Sequence, residues 1–118
     1  MSAPCRWSAR VLVLAALALC PVGSVLAQDA DATVDMVGLT FTPKVVHVAP
    51  GATVLWTNSS PLGHTVTADD DSFDSDNVEP GATFSMTFDS PGTYQYYCAP
   101  HGSAGLHGMA ATIIVDDP

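Results

Sequence analysis

Four side chains in this sequence could together hold a metal ion. Cys98 and His101 lie three residues apart in the segment 97–101, Met109 follows eight residues after His101, and His64 lies far upstream. One thiolate, two imidazoles and a weak, distant thioether form the ligand set that suits copper cycling between its two common oxidation states. These residue types therefore predict a copper site. Zinc also accepts a thiolate and imidazoles, but a thioether is a poor zinc ligand.

The amino-terminal segment 1–27 has the three-part plan of a secretory signal peptide. Arg6 and Arg10 precede an apolar run over residues 11–20, and a small residue, Ala27, stands at a suitable cleavage position. The run is shorter than the roughly 20 apolar residues of a membrane helix. We therefore predict cleavage after Ala27 and export to the periplasm or the cell exterior, with no membrane span after cleavage.

Cysteine usage supports metal ligation. Cys5 and Cys20 lie in the predicted signal peptide, so the exported domain, residues 28–118, keeps only Cys98. Lipid anchoring at Cys20 is the less favoured alternative, because the preceding Leu19 is larger than a lipidation motif requires. A single cysteine forms no internal disulfide in a compartment where disulfides are allowed. It indicates a reactive thiol, an intermolecular bond or a metal ligand.

The predicted exported domain is strongly acidic. Lys44 is its one basic residue against twelve Asp and Glu, which gives a formal charge of −11. This charge argues against nucleic acid as a partner, since phosphate binding needs clustered Lys and Arg. Acidity favours either attraction of a cationic partner or general solubility.

The pattern along residues 28–118 is that of an all-β domain. Runs rich in Val, Thr, Ile and aromatic residues predict strands, and Pro-Gly pairs at positions 50, 80 and 91 predict turns between them. Several short strands separated by turns are typical of a sandwich or barrel. The predicted strands are Thr33–Val37, Val45–Val48, Thr53–Thr57, His64–Thr67, Thr83–Phe88, Thr93–Cys98 and Thr112–Val115. The acidic segment 69–79 is predicted to be a connection anchored by Phe73 and Val78.

The segments around His64 and around Cys98 and His101, together with the strand and turn segments, resemble those of the cupredoxins, the type 1 blue copper proteins, in particular the plastocyanin and pseudoazurin kind. The resemblance implies a Greek-key β-sandwich that holds one mononuclear copper ion, Cu(I) or Cu(II), at its end. It further implies that His64, Cys98 and His101 are the strong ligands. The matching stretches are residues 41–43, 50–58, 64–67, 91–94 and 97–101.

The resemblance leaves a choice for the axial ligand. In the shortest loops of the family the axial Met stands five residues after the second His, and Leu106 occupies that place here. In the family the last strand begins three to six residues after this Met, and Thr112 is three residues after Met109. Met109 is therefore the predicted axial ligand, with Leu106 as its rival. The longer loop 102–108 is expected to bulge outward.

The expected surroundings of the thiolate differ from those of many relatives. Thr65 stands where they have Asn directly after the first His, so its backbone N–H is the evident donor to the Cys98 sulfur. Pro100 has no N–H to offer. Fewer donors leave the thiolate more electron-rich, which favours the oxidised metal and predicts a lower reduction potential.

The predicted function is that of an exported carrier of single electrons, acting as a monomer. We expect a redox protein as its partner, and the acidic segment favours a cationic c-type cytochrome, with a membrane oxidoreductase as another candidate. Copper storage, delivery or protection uses the same ligands and stays open as the alternative. Catalysis by a Cys98–His101 nucleophile is not favoured, since the sequence shows no third orienting group or oxyanion loop.

Overall fold

The computed structural model describes residues 30–118, and these residues form eight strands. The predicted signal peptide, residues 1–27, lies outside the described residues. The strands are β1 (Ala32–Val37), β2 (Thr40–Thr42), β3 (Val45–Val48), β4 (Ala52–Asn58), β5 (Thr67–Ala68), β6 (Thr83–Phe88), β7 (Gly92–Ser103) and β8 (His107–Val115).

The strands form two four-stranded sheets, one ordered β2-β1-β4-β6 and the other β3-β8-β7-β5. Both sheets are mixed, because β1 pairs with β4 and β3 pairs with β8 in parallel, whereas the other pairs are antiparallel. Buried side chains from both sheets form one core. The prediction of an all-β sandwich is confirmed. Within residues 30–118 we find no helix long and apolar enough to cross a membrane.

Alternation and turn chemistry explain why these segments become strands. Along β4 the residues at every second position, from Ala52 to Asn58, are buried, and those between them are half-buried. This period of two places one face of the strand in the core. Gly51 and Gly81 take φ of 88° and 83° after a proline, a left-handed conformation that only glycine adopts cheaply.

An aromatic cluster beneath the middle of β7 makes that strand a rigid platform. Tyr96 is fully buried and packs edge-on against Phe41 of β2, with ring centroids 4.7 Å apart, and against Trp56 of β4, at 5.4 Å. The cluster therefore joins the two sheets directly below Cys98. Such close packing restricts β7 because core side chains sit in well-defined rotamers.

The structure differs from the predicted strands at several places, and the strand predicted over Thr93–Cys98 extends to Ser103. The strand predicted over His64–Thr67 is reduced to Thr67–Ala68, because His64 instead forms an isolated bridge with Val78 of the acidic segment. Strand β2 was not predicted. The last strand begins at His107, five residues earlier than Thr112, so Met109 lies inside β8 and not ahead of it.

Candidate metal centre

The donor atoms of three residues meet at one end of the sandwich. His64 comes from the connection between β4 and β5, whereas Cys98 and His101 both come from β7. The Cys98 Sγ lies 3.5 Å from His64 Nδ1 and 3.4 Å from His101 Nδ1, and the two nitrogens are 3.2 Å apart. Sequence reasoning predicted these three residues, and the structure brings them together.

This triangle of donors fits a metal ion. Its three sides are nearly equal, so the point equidistant from the donors lies about 2 Å from each, which is the length of a metal–imidazole bond. The trigonal set of two His and one Cys is the arrangement that favours copper.

Burial favours the neutral, metal-binding form of His64. His64 and Cys98 are fully buried, and His101 is partly exposed. Burial lowers the pKa of His64, and repulsion by a charged His101 lowers it further. A neutral imidazole is required for ligation, because a protonated ring nitrogen has no lone pair to give.

Thr65 ties the two segments that carry the ligands. Its backbone N–H donates to the Cys98 sulfur over 3.4 Å, in the place the sequence predicted. Its hydroxyl oxygen accepts the N–H of Ala99 at 2.8 Å and lies 2.9 Å from the hydroxyl of Thr67. The sequence did not predict this side-chain bridge. It fixes the chain directly after the thiolate, so Thr65 positions Cys98 with both its backbone and its side chain.

The His64 ring nitrogen that faces away from the other donors contacts Ser60, a residue that the sequence analysis did not identify. The His64 Nε2 lies 2.8 Å from Ser60 Oγ, and Ser60 Oγ lies 2.8 Å from Asn58 Oδ1. The Ser60 N–H also donates to that amide oxygen, which makes an Asx turn. An Asn followed by two serines is a sequence signal for such a turn. Only the fold shows that the turn ends at His64.

Met109 and Leu106, the two candidates for the axial position, have different surroundings. Met109 is buried within β8, with 2% of its surface exposed, whereas Leu106 is 49% exposed at the tip of the hairpin that joins β7 to β8. The loop expected to bulge outward in fact pairs, with Gly102 opposite Gly108 and Ser103 opposite His107, after a break in the β7–β8 register between Tyr97 and Gly102. This burial favours Met109 over Leu106.

The hairpin that carries His101 and Met109 is held from two sides. A β-carbon at Gly102 would lie 2.6 Å from the backbone oxygen of Met109, so the two strands approach closely there. At the tip, the N–H of Gly105 donates to Asp69 Oδ2 at 2.9 Å. The acidic segment thus contacts the hairpin directly, which the sequence did not predict.

Comparison with known proteins agrees with this geometry. Residues 28–116 match the model of the family described as copper binding proteins, plastocyanin/azurin family. Chloroplastic plastocyanin from Physcomitrium patens is 34% identical over 111 residues, covering 85% of this chain and 66% of that protein. Chloroplastic plastocyanin from Fritillaria agrestis is 33% identical over 126 residues, covering 92% and 76%.

Solved structures show the same fold. A reduced Cu(I) form of an amicyanin mutant superimposes with a TM-score of 0.66 at 26% identity, covering 78% of this chain and 87% of that one. A purple cupredoxin from Nitrosopumilus maritimus superimposes at 0.63 with 23% identity, covering 73% of this chain and all of that one, which supports the fold alone. The predicted resemblance to cupredoxins and copper as the cofactor are confirmed. The chain belongs to the plastocyanin/azurin family of copper binding proteins.

Proposed function

We propose that this protein is an exported carrier of single electrons, with His64, Cys98 and His101 as equatorial copper ligands and Met109 as the axial one. The observation that carries the proposal is the triangle of donor atoms, whose sides are 3.2, 3.4 and 3.5 Å. Bound copper supplies a one-electron couple. The chain supplies a fixed set of donors of intermediate softness, which suits both of its oxidation states.

Rigid elements around the donors support electron transfer. Cys98 and His101 lie on β7, which the Tyr96 aromatic cluster anchors, and Thr65 bridges the ligand segments. Donors that are already in place need little rearrangement when the charge at the site changes. Two of the three equatorial donors thus lie on a strand, and strands hold such geometry better than mobile loops.

The partial exposure of His101 indicates where a partner would approach. His64, Cys98 and Met109 are each at most 2% exposed, so His101 is the ligand with an edge at the surface. Leu62, two residues before His64, is 46% exposed and adds apolar surface on this side. We propose that a redox protein docks here, and that the acidic residues of segment 69–79 attract a cationic one such as a c-type cytochrome.

Burial of the ligands argues against copper delivery as the main role. A delivery protein must release its ion to a partner, which is easier when several ligands are accessible. The test is cyclic voltammetry of the copper-loaded protein, together with competition by a Cu(I) chelator. An electron carrier gives a reversible one-electron wave and keeps its ion for many cycles. Rapid loss of Cu(I) to the chelator without a reversible wave would overturn the proposal in favour of delivery.

The axial assignment has its own test. We expect Met109→Leu to shift the visible and paramagnetic resonance spectra of the Cu(II) form, because the thioether is removed. Leu106→Met is the matched control and should leave both spectra unchanged, since its side chain is exposed. Spectra that respond to Leu106→Met and not to Met109→Leu would remove Met109 from the axial position.

Export of residues 28–118 after removal of residues 1–27 belongs to the same proposal. The family match starts at residue 28, which supports a boundary at this point. Mass spectrometry of the protein recovered from its natural compartment should show Gln28 as the first residue. An intact amino terminus, or a lipid on Cys20, would contradict the proposed processing.

A further inference from the structure

The imidazole of His64 has a hydrogen-bond partner, Ser60, that is not one of the predicted metal ligands. Ser60 is 5% exposed, and its Oγ lies 2.8 Å from His64 Nε2. The opposite ring nitrogen, Nδ1, faces Cys98 Sγ and His101 Nδ1. His64 therefore has a metal-facing edge and an edge held by Ser60, and both are inside the protein.

The hydrogen bonds around Ser60 determine which nitrogen of His64 carries the proton. A metal-facing Nδ1 must keep its lone pair, so the proton sits on Nε2 and is donated to Ser60 Oγ. The single proton of Ser60 then goes to Asn58 Oδ1 at 2.8 Å. The Leu62 carbonyl oxygen, 3.0 Å from Ser60 Oγ, is the longer alternative for the same proton, and with either acceptor the Ser60 oxygen stays free to accept from His64 Nε2.

Asn58 anchors this chain of hydrogen bonds to the sheet. It is the last residue of β4 and is fully buried, and its Nδ2 also donates to the carbonyl oxygen of Val78 at 2.9 Å. Val78 in turn bridges to His64 through backbone hydrogen bonds in both directions. The hydrogen-bonded chain Asn58–Ser60–His64 is thus held at both ends, because Asn58 and His64 each bond to Val78.

We propose that Ser60 is a positioning residue that orients His64 and tunes the reduction potential of the copper site. The inference rests on the proposed function, because it assumes that His64 binds copper through Nδ1. A hydrogen bond donated from the remote nitrogen makes the imidazole a stronger base and fixes its tautomer. A stronger base favours the oxidised ion over the reduced one. Ser60 therefore holds the potential lower than an apolar residue would.

The experiment compares Ser60→Ala, Ser60→Thr and Ser59→Ala in the copper-loaded protein. Loss of a partner of this kind costs about tenfold or more in metal affinity. We expect Ser60→Ala to lose affinity mainly for Cu(II), and each tenfold loss confined to that state raises the potential by about 59 mV. Ser60→Thr keeps the hydroxyl and should restore a potential near that of the wild type. Ser59→Ala is the control, because the Ser59 hydroxyl bonds Asp35 and not His64.

A direct measurement on the wild type keeps the inference testable if Ser60→Ala does not fold. In the Cu(I) form, a ¹H–¹⁵N spectrum of the histidine rings should show a proton on His64 Nε2 that exchanges slowly with solvent. An unprotonated or rapidly exchanging Nε2 would overturn the inference, as would an unchanged potential in a folded Ser60→Ala protein. A wild type that binds no copper would overturn the proposed function itself, which separates the two failures.

Discussion

The close approach of the two strands at Gly102 predicts that a single methyl group will distort the metal centre. In Gly102→Ala the new β-carbon would meet three backbone atoms, the Met109 oxygen at 2.6 Å, the His107 oxygen at 2.7 Å and the Met109 nitrogen at 2.8 Å. Ordinary contact starts at 3.4 Å. The strands must therefore separate by up to about 0.8 Å, and overpacking of this kind costs about 1–3 kcal/mol.

The displacement falls on the ligands themselves, because His101 precedes Gly102 and Met109 lies on the facing strand. Binding side chains must stay within about 0.5 Å of their productive positions for a site to work. We therefore expect Gly102→Ala to lower the free energy of unfolding by about 1–3 kcal/mol and also to change the visible spectrum of the Cu(II) form. Urea unfolding of the metal-free protein and absorption of the loaded protein measure the two effects.

Gly105→Ala in the same hairpin is the matched control. Its β-carbon would meet only the His107 side chain, at 3.3 Å, but φ is +88°. A left-handed alanine costs about 1–2 kcal/mol, so the control should lose stability without a spectral change. The reasoning is refuted if Gly102→Ala keeps the wild-type spectrum and unfolds with a free energy within about 0.5 kcal/mol of the wild type.

Three further predictions concern the support of the site and the acidic segment. Thr65→Val leaves the Ala99 N–H without its acceptor and should cost about 1–3 kcal/mol in urea unfolding, whereas Thr65→Ser should stay close to the wild type. Phe73→Ala should cost about 3–5 kcal/mol in the same assay, because Phe73 anchors the acidic segment in the core at 8% exposure; an effect below about 1 kcal/mol would contradict this anchoring. Hydrogen bonds from Ser72 hold the pKa of Asp70 below its ordinary value. The stability that they contribute is therefore present above that ordinary value and is lost as the pH falls through the lower pKa of the folded protein. Ser72→Ala should raise the pKa of Asp70 in an NMR titration, and an unchanged pKa would contradict that cause.

The residues whose roles follow from local sequence were the ones that could be predicted. Cys98 and His101 lie three residues apart on one strand, so their spacing alone brings them together. The strand runs and the Pro-Gly turns gave the all-β class, because strand periodicity and left-handed glycines are local properties. His64 was a candidate by residue type alone, and the family resemblance strengthened its placement beside them, since its contact with Cys98 spans 34 residues of chain.

The features that were missed depend on tertiary contacts. Ser60 is an ordinary turn serine until the fold turns His64 Nε2 toward it. The segment 102–108 contains three glycines and was expected to be a loop, yet Gly102 and Gly108 allow the strands to pair because neither has a side chain. Because of this pairing, β8 already begins at His107. The expectation that the last strand begins at Thr112, after Met109, was therefore wrong, although Met109 itself is buried.

Copper titration is the most direct test of the central claim that Cys98, with two histidines, forms one copper site. One equivalent of Cu(II) added to the metal-free protein should produce an intense visible absorption that arises from the copper–thiolate bond and saturates at a ratio of one. Cys98→Ser should abolish that absorption while the protein stays folded. A colourless copper complex, or an absorption that persists in Cys98→Ser, would contradict the account.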